Sequence, residues 1–332
     1  MEALVWEGPG RMAVRDLPAP SAGTDEVIVR VEAAGICGSE VEGYLGRQGN
    51  RTPPLVMGHE FAGRVVALGA GADRAWLGAP VTVNPLLSCG DCQACRAGRR
   101  NACGLRRLIG IARPGGFAAQ TAVPVTALRR LPDGLDPRLG ALAEPLANGV
   151  HAVRLGSRGA QLDEAVVIGA GAIGLAVLQA AIAAGVERIV VVEPHAGRRA
   201  QAAQLGAHST VPSIDDLEPS SAALVVDAVG RSETRLGGLA RTRAGGTFVA
   251  IGLHDDATAI GFHDLIRREL AIQASYAYTD DDFAHALDLL AAGRAGIGPL
   301  EPVLPLAAGP AAFAELARGA SDRVKVFVSG SA

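Results

Sequence analysis

The feature that most constrains the fold is a glycine-rich turn that joins a strongly apolar strand to an apolar helix. The strand covers residues 165–168, and the turn reads Gly-Ala-Gly-Ala-Ile-Gly at residues 169–174. Glycines at these spacings permit a tight turn, a close approach of backbone to a pyrophosphate, and close helix–strand packing. A second apolar strand at residues 188–193 completes a strand–helix–strand unit. The sequence therefore predicts a doubly wound dinucleotide-binding domain whose phosphate-facing residues are Gly169, Gly171, Ile173 and Gly174.

The end of the second strand indicates which dinucleotide is bound. Glu193 stands there, and its carboxylate can accept hydrogen bonds from the adenosine ribose hydroxyls. It would repel a 2′-phosphate by roughly 1–4 kcal/mol at about 4 Å. NAD is therefore the expected cofactor, and Arg198 on the next helix keeps NADP as the alternative. Later apolar strands at 223–227 and 247–252 extend the sheet and bring Gly252 towards the nucleotide.

Four of the five cysteines form a cluster separated mainly by two-residue spacers. Such spacers let successive thiolates turn onto one ion, and four sulfurs complete a closed tetrahedral zinc site of structural type. A redox pair is the alternative. Arginines in the same segment would suit a nucleic acid, but no aromatic side chains are interleaved for base stacking. We expect a charged, solvated lobe over residues 89–103 whose ligands are Cys89, Cys92, Cys95 and Cys103.

The fifth cysteine, Cys37, lies upstream of a Gly-His-Glu motif that contains His59 and Glu60. A lone cysteine is more often a small buried apolar residue than a ligand. Thiolate, imidazole and carboxylate are, however, the three ligand types that zinc accepts. Three protein ligands leave one position for water or substrate, so these residues form a candidate catalytic zinc site.

Taken in order, these motifs resemble those of the zinc-dependent medium-chain dehydrogenases/reductases, in particular the sorbitol and threonine dehydrogenase-like branch. The resemblance also rests on Glu-Pro-Leu-Ala at residues 144–147, and it spans nearly the whole chain. It implies an α/β fold with a GroES-like β-barrel and a Rossmann domain. The expected organisation is a GroES-like zinc-binding catalytic domain over 1–146, a Rossmann NAD-binding domain over 147–275, and a return segment over 276–332 that completes the Rossmann edge and the catalytic domain.

The family's catalytic zinc ligands carry over to Cys37 and His59, with Glu60 and Glu144 as carboxylate candidates. Either glutamate could touch the metal directly or through water, and Glu144 could instead be a helix-start charge beside Pro145. The resemblance further implies that Ser39 begins a proton relay. It also implies a homodimer or homotetramer built by joining Rossmann sheets edge to edge.

The chain departs from the family pattern after Ser39, where aspartate and then histidine are usual. It has Glu40 and Glu42 instead, and these carboxylates are expected to pair with hydroxyl or amine donors of the substrate. Glu42 stands in the place of the relay histidine, where it would take the proton to solvent or form a hydrogen bond with the substrate, and an exposed charge is the alternative. Lys325 resembles a basic residue that a C-terminal strand brings to the pyrophosphate, with a solvated strand edge as the alternative. Tyr44 and Phe117 are candidates for the substrate cleft or for the core.

These observations predict an enzyme that transfers a hydride between a secondary alcohol (a polyol, cyclitol or amino alcohol) and NAD, giving the ketone. The alternatives are a simple-alcohol dehydrogenase and a biosynthetic aminocyclitol dehydrogenase; a zinc-free quinone reductase or a non-catalytic NAD- and zinc-binding protein is more remote. A net charge of −3 argues against nucleic acid or an anionic membrane as partner. No signal peptide or membrane-spanning run is expected, so the chain is predicted to be cytoplasmic.

Overall fold

The computed structural model describes residues 1–159, 162–319 and 323–331, which form two compact units. The first unit joins Met1–Glu144 to Pro299–Ala332, and the second is Pro145–Gly298. The observed division thus falls beside the predicted boundary at residue 146. The boundary predicted at residue 275 marks a strand end, whereas the second unit continues to Gly298.

The chain alternates between short strands and helices. The strands are β1 (Glu2–Gly8), β2 (Arg11–Asp16), β3 (Glu26–Gly35), β4 (Leu55–Val56), β5 (Glu60–Leu68), β6 (Pro80–Val83), β7 (Leu86–Leu87), β8 (Arg107–Leu108), β9 (Gln120–Pro124), β10 (Leu128–Arg130), β11 (Glu164–Ile168), β12 (Arg188–Val192), β13 (Ser209–Val211), β14 (Ala222–Asp227), β15 (Thr242–Ala250), β16 (Ala271–Ala274), β17 (Val303–Pro305) and β18 (Phe327–Ser329). The helices are α1 (Gly38–Tyr44), α2 (Gln93–Arg96), α3 (Pro137–Ser157), α4 (Ala172–Ala183), α5 (Ala196–Gln204), α6 (Ser232–Arg241), α7 (Phe262–Arg268), α8 (Asp280–Ala291) and α9 (Gly309–Ala317). Within the described ranges, no helix combines the length and the apolar character needed to cross a bilayer.

The first unit is built mainly on a seven-stranded sheet. Its order is β10-β6-β5-β3-β18-β17, with β9 paired to β3, and a smaller sheet has the order β2-β1-β4. Strand β3 is long and apolar, and it pairs antiparallel with β5, β9 and β18. Its side chains share one core with Leu4, Phe61 and Phe313 from other elements of the unit.

The register of this sheet brings distant segments together at one end of β3. Gly35 is paired with Glu60 of β5 on one side and with Phe327 of β18 on the other. Cys37 lies two residues after the end of β3, and His59 directly precedes β5. Because antiparallel neighbours place the end of one strand beside the start of the next, the thiol and the imidazole are delivered to the same place.

The second unit contains a six-stranded sheet in the order β13-β12-β11-β14-β15-β16, in which every pairing is parallel. The central strands carry continuous runs of buried apolar residues, as expected for strands covered on both faces. The strand order reverses between β11 and β14, where doubly wound sheets open a ligand crevice. The predicted doubly wound domain is therefore confirmed.

A buried polar network connects α3 to α8 within the second unit. Asp282 accepts hydrogen bonds from His151 Nδ1 at 2.6 Å and from Arg154 Nε at 2.7 Å. The backbone N–H and hydroxyl of Thr279 also donate to the same carboxylate, at 2.9 and 2.6 Å. Burial raises the pKa of Asp282, but the hydrogen bonds from His151 and Arg154 lower it by a larger amount. The net pKa is therefore lowered, and the carboxylate stays ionised.

Candidate metal centres and nucleotide site

The three residues predicted for the catalytic metal come together in the first unit. The thiol of Cys37, a ring nitrogen of His59 and a carboxylate oxygen of Glu60 all lie within 4.8 Å of one another. His59 and Glu60 are buried and Cys37 is half-buried. This set fits zinc, because it combines sulfur, nitrogen and oxygen ligands around one point with fewer than four protein groups.

Glu40 fixes the positions of both principal ligands. It is the third residue of α1, and its Oε2 accepts the backbone N–H of Cys37 at 2.9 Å, closing a capping-box contact at the helix start. Its Oε1 accepts the backbone N–H groups of Gly58 and His59 at 2.8 and 3.1 Å, and lies 2.8 Å from His59 Nδ1. The glutamate is fully buried. One carboxylate therefore ties together the two segments that carry the metal ligands.

These contacts also decide which imidazole nitrogen faces the metal. Burial raises the pKa of Glu40, but contacts that include the neighbouring His59 lower it by a larger amount. The carboxylate is therefore ionised and can only accept hydrogen bonds. Nδ1 of His59 must then carry a proton, so the lone pair is on Nε2 whenever the ring is neutral, which is the form that binds a metal. A carboxylate bound to the far nitrogen is the usual orienting contact of a zinc-binding histidine. The predicted pairing of Glu40 with substrate is therefore wrong, because protein donors occupy both its oxygens.

Lys325 forms a buried ion pair with Glu60. Its ammonium donates to the two Glu60 oxygens at 2.8 and 2.6 Å and to the carbonyl of Ile36 at 3.3 Å. A β-carbon at Gly35 would lie 2.5 Å from Glu60 Oε2, so only glycine leaves room for the pair. The structure gives Lys325 a carboxylate partner at the metal centre, and its contact with the pyrophosphate stays a prediction. It precedes β18 in an irregular segment, because the strand begins at Phe327.

The other predicted catalytic residues lie around this group. Glu144 is buried within α3 but is not among the described ligand atoms that meet within 4.8 Å. It is not a helix-start charge either, since α3 begins at Pro137. Ser39 is half-buried on α1. Glu42, on the same helix, lies 3.3 Å from Arg47 with 42% of its side chain exposed.

The cysteine lobe has the geometry of a tetrahedral zinc site. The Cys89 sulfur lies 3.8 Å from that of Cys95 and 3.5 Å from that of Cys103, and the Cys92–Cys95 separation is 3.5 Å. Four sulfurs at about 2.3 Å from zinc would be about 3.8 Å apart, so the preformed distances fit the ion. Backbone N–H groups of Asp91 and Cys92 lower the pKa of the Cys89 thiol to about 6, which favours the thiolate that binds zinc.

The glycine turn of the second unit has the shape required by a dinucleotide. Gly169 has a φ of +96°, and a β-carbon at Gly174 would lie 1.9 Å from the Gly169 carbonyl oxygen. Gly171 caps α4, and a β-carbon there would meet nothing within 4 Å. The helix N-terminus therefore presents N–H groups beside open space, which suits a pyrophosphate. Ile173 lies in the first turn of the same helix.

Glu193 is buried beside this turn. Its oxygens accept the backbone N–H of Ala170 at 2.8 Å and of His195 at 3.0 Å. Arg198 lies on the following helix, α5. Gly252 is explained by packing, because a β-carbon there would lie 2.3 Å from the backbone of Val229 and Gly230.

Two aromatic candidates for the substrate cleft belong to the core instead. Phe117 is fully buried and Tyr44 nearly so, and both rings pack against Phe313 at centroid distances of 5.8 and 5.5 Å. The Tyr44 hydroxyl donates to the carbonyl of Gly10 at 2.9 Å. The orienting role of Glu40 was not predicted, although its place as the third helical residue after Cys37 is a capping-box signal.

Comparison with known proteins gives the same picture. Residues 23–133 match the family described as alcohol dehydrogenase GroES-like domain, and residues 172–292 match zinc-binding dehydrogenase. L-galactonate-5-dehydrogenase of Escherichia coli is 32% identical over 89% of this chain and 88% of its own length. Sorbitol dehydrogenase of Arabidopsis thaliana is 32% identical over 88% of this chain and 85% of its own.

A solved structure covers almost the whole chain. A zinc-binding dehydrogenase of Sinorhizobium meliloti bound to NADP superimposes with a TM-score of 0.90 at 34% identity, covering 99% of this chain and 98% of that one. The predicted combination of a GroES-like and a Rossmann domain is thereby confirmed, as is the resemblance to the sorbitol dehydrogenase-like branch.

Proposed function

Because the chain belongs to the zinc-binding, alcohol dehydrogenase-like family of medium-chain dehydrogenases, we propose that it oxidises a secondary alcohol at the Cys37–His59–Glu60 centre. Family membership establishes an NAD(P)-dependent dehydrogenase that acts on CH–OH groups. The observation that carries the assignment of the site is the convergence of these three ligand types with a carboxylate-oriented histidine. Glu144 remains a proposed further ligand, supported by its burial and by the family motif.

Each residue around the centre has a distinct proposed task. Zinc held there would supply a Lewis acid with a position open to the substrate oxygen. Glu40 orients His59, and Lys325 neutralises Glu60. Ser39 is proposed to accept the hydroxyl proton and pass it to Glu42, because residues three apart share a helix face and Glu42 is partly exposed to water.

We propose a substrate with several hydroxyl groups. The support comes from relatives named for galactonate and sorbitol. Cyclitols and amino alcohols belong to the same chemical class, since each places a polar group beside the reacting carbon. A simple aliphatic alcohol is the second candidate.

NAD is the proposed hydride carrier. The support is Glu193, whose buried carboxylate stands where the ribose hydroxyls of adenosine would be bound. The NADP-bound relative keeps the phosphorylated cofactor as the alternative. The ratio of kcat/KM values for NAD and NADP tests this choice, and a ratio below one would reverse it.

We propose that two copies associate through the second unit, as a homodimer or as a tetramer of such dimers. Strand β16 is the last strand of its sheet, and the helix before it exposes Phe262 at 68% and Ile266 at 70%. Apolar side chains beside an unpaired strand edge suit a second copy. Ile266→Asp is expected to shift the mass measured by light scattering to the monomer, and an unchanged mass would contradict this surface.

A cytoplasmic location is proposed on the strength of the cysteine lobe. Its four thiols are free and preformed for an ion, which requires a reducing compartment. Neither nucleic acid nor membrane is proposed as a partner. Fractionation of cells that produce the chain tests the location, and recovery from an oxidising compartment would contradict it.

The decisive experiment compares wild type, Cys37→Ala and Cys89→Ala. We expect Cys37→Ala to lose NAD-linked turnover of a polyol panel and about one zinc per chain, while its thermal unfolding stays close to wild type. Cys89→Ala should lose its zinc together with thermal stability, because that site is structural. Turnover by Cys37→Ala with unchanged zinc content would contradict the proposed centre.

A further inference from the structure

A buried arginine near the metal centre has hydrogen-bond donors that the protein does not use. Arg51 is only 6% exposed. Its Nη1 donates to the side-chain oxygens of Gln48 at 2.5 Å and Asn50 at 3.1 Å. Its Nε and Nη2 are buried and have no acceptor in the described part of the chain. Most buried polar groups in proteins are paired, so two idle donors on one guanidinium require an explanation.

The positive charge of Arg51 is not matched by an ion pair among the described residues. Burial lowers the pKa of Arg51, while the charges of Glu40 and Cys37 oppose that shift, so the guanidinium lies within electrostatic range of the metal centre. Glu40 is not its hydrogen-bond partner, because no acceptor among the described residues lies within hydrogen-bond distance of Nε or Nη2, and the described contacts of Glu40 are with donors of the metal-binding segments. A buried cation in this state is poised to receive an anion.

The fold makes space for this arginine. A β-carbon at Gly43 would lie 2.7 Å from Arg51 Cδ and 2.9 Å from Nε. The glycine therefore lets the guanidinium lie against the backbone of α1, the helix that begins at Cys37 and carries Ser39. This placement ties Arg51 to the helix that builds the catalytic centre.

The two donors of Arg51 that have no acceptor in the described chain, Nε and Nη2, are the pair best suited to binding an oxyanion. The Nε–H and Nη2–H bonds lie along one edge of a guanidinium and point the same way, which matches two oxygens of a carboxylate or phosphate. The third nitrogen is already held by Gln48 and Asn50, in a loop whose residues 46, 47, 49 and 50 are exposed.

We propose that Arg51 anchors an oxyanion carried by the substrate, so that the preferred substrates are secondary alcohols bearing a carboxylate or phosphate. This inference rests on the proposed function, because it assumes that a hydroxyl of the same molecule reacts at the Cys37–His59 centre. The anion satisfies Nε and Nη2 together, next to the exposed residues of the loop that carries Gln48 and Asn50.

The test uses matched substrates with zinc-loaded full-length enzyme and NAD. Aldonates and polyol phosphates are each compared with the uncharged polyol of the same configuration. Wild type is expected to show a higher kcat/KM for at least one charged form. Arg51→Met should lower the charged-to-neutral ratio about 10- to 100-fold, since charge-assisted hydrogen bonds are lost, while the neutral polyol is nearly unaffected. The two charged series separate a carboxylate subsite from a phosphate subsite.

Arg51→Lys is the second variant, because it keeps the charge but lacks the parallel pair of donors. This variant should fold as wild type does and should lose most of the preference for the charged substrate in kcat/KM. Calorimetric binding of the preferred oxyanion to the enzyme with NAD provides a readout independent of turnover, and Arg51→Lys should weaken it.

Several results would overturn the proposal. A wild type that prefers neutral polyols overturns it without any variant, as does an equal loss on charged and neutral substrates in Arg51→Met. In both cases NAD-linked turnover of neutral alcohols persists, so the proposed function survives. Absence of turnover with every alcohol would instead refute the proposed function and this inference together.

Discussion

Replacement of Glu40 by glutamine tests whether this carboxylate builds the metal centre. The side chain accepts four hydrogen bonds, three at Oε1 and one at Oε2 from the Cys37 backbone. Glutamine keeps the shape but offers only one acceptor oxygen. If that oxygen keeps the three contacts with Gly58 and His59, the amide NH2 must face the N–H of Cys37, and two donors then oppose each other.

The expected loss follows from these contacts. One charge-assisted hydrogen bond, worth about 1.5–3 kcal/mol, is removed, and the negative charge that orients His59 is removed with it. Loss of such an orienting partner typically weakens metal binding about 10- to 100-fold, which corresponds to about 1.4–2.7 kcal/mol. We therefore expect Glu40→Gln to release its catalytic zinc at a 10- to 100-fold lower chelator concentration, while the four-cysteine site keeps its ion.

Glu42→Gln is the matched control, because Glu42 lies on the same helix but is 42% exposed and paired only with Arg47 in the described contacts. Zinc affinity in the control should equal that of wild type. Competition with a chromophoric chelator, with total zinc measured by mass spectrometry, gives both affinities. Equal affinities for Glu40→Gln and wild type, or an equal loss in the control, would refute the role assigned to Glu40.

Three further predictions concern the rest of the molecule. Asp282→Asn should lower the free energy of opening of the α8 and α3 amides by about 3–5 kcal/mol near neutral pH, as measured by amide hydrogen exchange. The matched control Asp281→Asn, at an exposed position, should change this free energy little. Because the folded pKa of Asp282 is lowered, its contribution is present above its unfolded pKa of about 3.9 and is lost as pH falls below it; a difference that persists undiminished at lower pH would contradict this. Glu193→Ala should raise KM for NAD about 10- to 100-fold and change KM for NADP less, and equal effects on both would refute ribose recognition. Lys325→Met should cost about 3–5 kcal/mol in thermal unfolding by stranding the buried Glu60 charge, and adding Glu60→Gln should recover most of it; no recovery would show that the pair is not coupled.

What the sequence predicted well depends on local pattern. The strand, glycine turn and helix of residues 165–183 are adjacent in the chain, so periodicity and glycine spacing are enough to specify them. The cysteine lobe is likewise local, since its ligands lie within one short segment. The Cys37–His59–Glu60 group was predicted from its ligand types and supported by the family resemblance, because its members meet only through the pairing of β3 with β5.

What the sequence missed depends on register between distant strands. The partner of Lys325 is fixed by the pairing of Phe327 with Gly35, and residue spacing carries no information about that pairing. Glu40 was assigned to the substrate because its carboxylate could pair with hydroxyl or amine donors. Its burial follows from the start of α1 at Gly38, which turns the third helical residue back towards Cys37.

The charges around the metal centre follow one arrangement. Glu60 is neutralised directly by Lys325. The negative charge of Glu40 is stabilised by hydrogen bonds from N–H groups, and Arg51 lies within its electrostatic range. Cys37 is the remaining ligand of the described group that would be negatively charged, as a thiolate. A divalent ion held by Cys37, His59 and Glu60 alone would keep a net positive charge, which strengthens polarisation of a substrate oxygen, whereas ligation by Glu144 would cancel that charge. The positive charge of Arg51 does not depend on the metal ligands, and it favours a negatively charged substrate over a neutral one in either case.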